Sequence, residues 1–154
     1  MIFSEQNEIR TVLAPDADRY TSSPATDVVS LKYYDHVTFV ITEGAGGAGT
    51  TKWIAQKCAT KAAGSPTAIA ANYRTNTYTA AMGTLTTLPT TGVTVAAGAN
   101  KQIIIEVDAA SCGPSYPYVR LHTTEADSTA VDACVIAILS KPSCAGASLP
   151  NPLS

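Results

Sequence analysis

Residues 27–53 read DVVSLKYYDHVTFVITEGAGGAGTTKW, and this stretch decides the fold class. Val29, Leu31 and Tyr33 fall on one side of a run whose other side carries Val28, Ser30 and Lys32, the two-residue period of a strand. Asp35 and His36 read as a break. Val37, Phe39 and Ile41 then alternate with Thr38, Val40 and Thr42 in a run rich in β-branched residues. Gly44 to Gly49 reads as a flexible loop, and Thr51 to Ala59 as a third strand carrying Trp53 and Ala55.

The same period recurs on the C-terminal side. Gln102 to Asp108 (QIIIEVD) and Tyr118 to Thr123 (YVRLHT) alternate, and Val131 to Leu139 (VDACVIAIL) is apolar enough for a central strand. Between them, Thr67 to Thr79 holds one or two strands. Ala80 to Gly92 reads as loop with a weak strand, and Val93 to Val95 as a short strand. Thr and Gly density argues against helix in the Ala-rich parts. The expectation is an all-β chain of about eight strands, an antiparallel β-sandwich of jelly-roll type. Residues 27–139 form the sandwich. Residues 1–26, broken by Pro15 and Pro24, read as an N-terminal arm or short edge strand, and residues 140–154 as an extended Pro/Ser-rich C-terminal tail.

Composition narrows the function. The chain has 154 residues, the size of one domain. Only 14% are charged, against about 25% in an average soluble domain, which suits short strands joined by many turns or a surface covered by neighbouring subunits. Net charge is −2 with no basic cluster, which argues against nucleic acid as a partner. No run approaches the ~20 apolar residues of a membrane helix, and MIFSEQNEIR lacks the pattern of a signal peptide, so synthesis in the cytoplasm is expected. Four cysteines without a CxxC, and only two histidines, argue against a metal site, and no cofactor motif is present. Four cysteines allow three pairings, between which sequence does not choose. Cys112 and Cys144, both in adaptable connections, are the candidate pair if a bridge forms.

With the strands placed, DVVSLKYYDHVTFVITEG and its glycine-rich turn, QIIIEVDA, YVRLHT and ACVIAIL together resemble a family of small tailed-phage virion proteins, the head decoration, stabilising or cement proteins. The resemblance spans about residues 27–139. It implies a non-enzymatic β-sandwich on the capsid exterior, bound to the major capsid protein as a homo-oligomer, often a trimer, that bridges capsomers. The cysteines and the Pro-rich tail depart from the family's general pattern. Ile9, Val12 and Leu13 of the N-terminal arm are then candidate capsid contacts, and Tyr33, Tyr116 and Tyr118 candidate subunit-interface residues.

Other chemistries are weaker readings of the same residues. GAGGAG lacks the Lys-Ser/Thr of a phosphate loop and a following helix, so it reads as the mobile loop of a hairpin. Ser111, His36, His122 and Asp35 are hydrolase residue types without a nucleophile-elbow context. Glu106 and Asp108 share one strand face and read as solvated or cross-strand partners of Arg120 or Lys101. The alternative function is a carbohydrate- or cell-surface-binding sandwich of a phage fibre or adhesin, for which Trp53 is the candidate aromatic platform.

Overall fold

The alternation around Phe39 builds the middle of the larger of two antiparallel sheets. The computed structural model describes residues 2–44, 49–95, 100–127, 129–143 and 152–153. The larger sheet is six-stranded, in the order β1 (Glu8–Asp16), β11 (Ala133–Pro142), β3 (Tyr34–Glu43), β9 (Lys101–Asp108), β6 (Ala71–Thr77), β7 (Thr86–Leu88). In the smaller sheet β2 (Val29–Ser30), β10 (Tyr118–Glu125) and β4 (Thr51–Cys58) lie side by side. The far edge of β4 is shared by β8 (Val93–Val95) at one end and β5 (Thr67–Ala68) at the other. Eleven strands are therefore present among the described residues, the extra ones being two- and three-residue pieces too short for a periodicity reading.

The inner faces meet in one core. Val37, Phe39 and Ile41 of β3, Ile103 and Ile105 of β9, and Val135, Ala137 and Leu139 of β11 are fully buried. Opposite them lie Trp53 and Ala55 of β4 and Val119 and Leu121 of β10. Each large aliphatic or aromatic side chain buried this way stabilises the fold by roughly 1.5–3 kcal/mol.

Three expectations are corrected. The strand expected over Val28 to Tyr34 shrinks to β2, and the chain turns at Leu31–Tyr33, where the Tyr34 N–H donates to the Leu31 carbonyl at 3.3 Å. Asp35 and His36 lie inside β3. Polar residues do not end a strand when they sit on its solvent side, and His36 finds Asp108 directly across the ladder. Because β2, β3 and β4 alternate between sheets, the opening stretch crosses the sandwich twice instead of folding as a hairpin.

The N-terminal segment is no free arm. Residues 8–16 form β1, which pairs with the open edge of β11, and Val12 and Leu13 both point into the core. Adjacent residues can share a face there because the register shifts between Thr11 and Leu13, as at a bulge. Tyr20 is also core, and Thr26 ties the segment to β10: its N–H donates to the Leu121 carbonyl and its hydroxyl accepts from the Leu121 N–H, at 2.9 and 3.0 Å. At the other terminus the expected tail begins as the end of β11. Pro152 accepts a hydrogen bond from the Ser30 N–H at 2.7 Å, and Leu153 packs against the core. The connection after β9 contains a four-residue helix, α1 (Ala109–Cys112), where sequence suggested only loop.

Two glycines separate backbone strain from crowding. Gly92 (φ 83°) and Gly113 (φ 74°) both hold positive-φ backbone that favours glycine. A Cβ on Gly92 would lie 2.6 Å from the Trp53 carbonyl oxygen, whereas one on Gly113 would meet nothing within 4 Å. Gly113→Ala is expected to cost about 1–3 kcal/mol and Gly92→Ala about 3 kcal/mol or more, read as urea-midpoint shifts at unchanged slope.

Candidate functional site

Burying one row of each strand turns the next row outward, and on the larger sheet that second row is unusually apolar. The ladder register aligns Thr11, Ile136, Val40, Ile104 and Arg74 across five strands. The row beside it runs Ile9, Ile138, Thr38, Glu106, Asn72. Val40, Ile104, Ile136 and Ile138 are only half-buried and Ile9 is 48% exposed. Among the described residues no element lies over them; α1 sits at the end of β9. This open aliphatic patch is the main candidate site.

One end of the face is polar. His36 Nδ1 lies 2.8 Å from Asp108 Oδ1, and His36 Nε2 lies 3.2 Å from the Thr38 hydroxyl and 3.9 Å from Glu106 Oε1. A carboxylate only accepts, so Nδ1–H donates to Asp108, while Nε2 shares a hydrogen bond with the Thr38 hydroxyl. The order carboxylate–imidazole–hydroxyl is that of a hydrolase triad. Here it lies along β3, whose backbone is paired with β11 on one side and β9 on the other, so its N–H groups do not converge on an oxyanion. Ser111 lines a shallow hollow of about 190 Å³ with Asp108 and Glu106. His122 faces outward from the smaller sheet, its pKa held below the ordinary histidine value by burial and by Arg120. The four hydrolase-type residues are therefore not brought together, and Asp35 is exposed beside them. Arg120 does not pair with Glu106 or Asp108; its Nε donates to Gln56 Oε1 at 2.9 Å on the other sheet. Among the described residues no His, Cys, Asp and Glu side chains are grouped to hold a metal.

The remaining candidates divide. Of Ile9, Val12 and Leu13, only Ile9 is accessible. Tyr33, Tyr116 and Tyr118 gather at one end of the sandwich. Tyr33 is exposed with the Lys32 ammonium 5.2 Å from its ring centre, while Tyr116 is half-buried under the Lys57 ammonium at 4.6 Å. Tyr118 is half-buried between Ser30 and Cys58 on the smaller sheet. Tyr116 and Cys112 line a groove of about 430 Å³ between Leu31 and the α1–Pro117 connection. Cys112 is a free, buried thiol whose pKa burial pushes up to about 11; Cys144 lies outside the described residues. Most of the Gly44–Gly49 loop also lies outside them. Trp53, the proposed sugar platform, is fully buried with its ring edge-on to Tyr20 at 5.5 Å. The exposed rings Tyr33 and Tyr78 flank opposite ends of β3, roughly 30 Å apart at strand rise, and form no shared platform.

Sequence reading did not single out Glu43 or Tyr20. Both are buried, and the Tyr20 hydroxyl donates to Glu43 Oε1 at 2.7 Å. Burial pushes the Glu43 carboxyl above the usual carboxylate range, with the Tyr20 hydrogen bond and Lys101 pulling it back. The Tyr20 phenol is driven far above its ordinary range by burial and then by Glu43.

No family model matches the chain, and no curated protein matches it in sequence. Among solved structures it is similar to the SPBc2 prophage-derived protein YomS, with TM-score 0.51 and 11% identity, covering 88% of this chain and 93% of that one. At that identity the likeness is one of fold. A chain of desmodium yellow mottle tymovirus superimposes with TM-score 0.32 at 12% identity, over 92% of this chain and 90% of that one, too loosely to carry weight.

The raised Glu43 pKa gives the fold a pH signature. The folded state holds this proton more tightly than the unfolded chain, so its contribution is complete below the unfolded pKa and is lost as pH rises through the folded one. Glu43→Gln keeps an acceptor for Tyr20 and cannot ionise. Between the two pKa values wild type is expected to lose about 1.4 kcal/mol per pH unit relative to the variant, with the two converging in acid. Parallel urea titrations from about pH 4 to pH 8 check this.

Proposed function

We propose that the chain is a non-enzymatic structural protein of a phage virion, made in the host cytoplasm, that decorates the outer surface of an icosahedral capsid and ties capsomers together. Its partners are the major capsid protein and further copies of itself. The observation that carries this reading is apolar surface left open on a well-packed sandwich, in a chain with only 14% charged residues. Such a surface is a poor solvating surface and a good docking one. The fold shared with a prophage-derived protein and the resemblance of the strand set to phage decoration proteins support the same reading.

The capsid contact belongs at the N-terminal turn. Phe3–Glu5 is a short 3-10 turn closed by two hydrogen bonds from Asn7 to the Phe3 carbonyl, at 2.9 and 3.1 Å, which hold Ile2 and Phe3 60% and 58% exposed. Ile9, at the margin of the larger sheet's outer face, continues this apolar edge. Burying two such side chains is worth about 3–6 kcal/mol. A subunit that binds only the assembled lattice stabilises it in proportion to affinity and occupancy, and repeated contacts multiply the effect.

Removing residues 1–26 would strip Val12, Leu13 and Tyr20 from the core, so the informative truncation is smaller. Deletion of residues 2–7 is expected to leave the urea midpoint nearly unchanged and to reduce co-sedimentation with capsids at least about tenfold. Undiminished co-sedimentation would remove the N-terminal turn from the contact, and wild type that never co-sediments would remove the capsid.

A further inference from the structure

The outer face of the larger sheet carries its own complement. Strands lie about 4.8 Å apart and same-face residues about 6.8 Å apart along a strand, so the register places Arg74 and Glu106 as diagonal neighbours roughly 8 Å apart. They do not pair within the chain. Among the described residues Arg74 has no carboxylate within ion-pair distance, and the basic side chain beside Glu106 is His36, at 3.9 Å. A positive and a negative group thus stand side by side at the edge of the aliphatic row, next to Ile104.

We propose that this face is an isologous self-association surface, on which a second copy of the chain packs about a two-fold axis with Arg74 of each copy over Glu106 of the other. An axis lying in the face midway between Arg74 and Glu106 exchanges the two positions. One rotation therefore makes two equivalent ion pairs and brings Ile104 and Val40 of the copies together near the axis. A ring of three needs two different patches that complement each other, whereas here both charge signs and the aliphatic row occupy one patch. That geometry selects a two-fold pair over the trimer that the family resemblance implies.

The dimensions set the strength. Four strands by four rows span roughly 500 Å² per copy, short of the ~800 Å² per partner of a standard stable interface. The pair is accordingly a concentration-dependent one, driven by the aliphatic row and aligned by the charges. The inference does not rest on the capsid reading, because it concerns the purified chain alone.

The test is sedimentation velocity of purified protein across its soluble concentration range. Wild type is expected to pass from monomer to dimer. Arg74→Glu and Glu106→Arg, each placing like charges opposite one another, are expected to raise the dissociation constant at least about tenfold, and R74E/E106R, which restores opposite pairs, to return it to within about threefold of wild type. Ile104→Lys sets two ammonium groups against each other near the axis and is expected to abolish pairing. Urea midpoints of each variant confirm folding, which these half-exposed positions tolerate. A wild type that stays monomeric at its highest soluble concentration, a trimer, or a double variant no tighter than the singles overturns the proposal.

Discussion

The period of two along a strand governs this molecule more than any single contact. β3 is hydrogen-bonded on both edges, to β11 and β9, so its register is held from two sides. A slip of one residue would bring Phe39 into water and His36 into the core, a change no neighbouring strand can accommodate alone. Locking Val37, Phe39 and Ile41 inward therefore also locks His36, Thr38, Val40 and Thr42 outward. The outer face inherits the rigidity of the core. That is why groups as far apart in sequence as Arg74 and Glu106 hold a constant relation to each other, as a docking surface requires.

The strands whose residues alternate, or run apolar throughout, were legible from sequence: β3, β4, β9, β10 and β11 lie close to where periodicity places them. What escaped was whatever depends on a distant partner. β1 reads as an arm as readily as an edge strand because Glu8, Arg10 and Asp16 dilute its pattern; it is the edge strand because β11 has an open edge and a bulge turns two consecutive apolar residues inward. The chain reverses before Tyr34, not at Asp35–His36, because Tyr34 is buried and His36 finds its partner on β9. Trp53 shows the same limit. A lone tryptophan beside a glycine loop is compatible with an exposed platform, and only the facing sheet and Tyr20 put it at the centre of the core.

The candidate site was half legible for a related reason. ACVIAIL is apolar on both faces, and TFVIT and QIIIEV add Val40 and Ile104 to the outer side, a pattern that ordinarily marks strands covered on both sides. Only the sheet order shows that one of those faces has no cover within the chain. Sequence thus reported the property, two-sided apolarity, and not its meaning. The buried Tyr20–Glu43 pair was illegible altogether, since a glutamate ending an alternating strand looks solvated until the loop carrying Tyr20 closes over it.

Weakness in the self-association surface is a requirement of the proposed role. A chain that paired tightly in solution would reach a capsid already committed, and its pairing would add nothing to the lattice. A contact too small for a stable free dimer behaves differently once copies are held at repeating positions. The local concentration then rises to the range where such a pair forms, and each pair links two anchoring points without any new interaction. Two features of the fold keep this compatible with capsid binding. Ile2 and Phe3 precede the edge strand β1, off the aliphatic row, and the charges that orient the pair lie toward β6 and β9, at the opposite side of the sheet. The two proposed contacts therefore use different residues, and one can form without undoing the other.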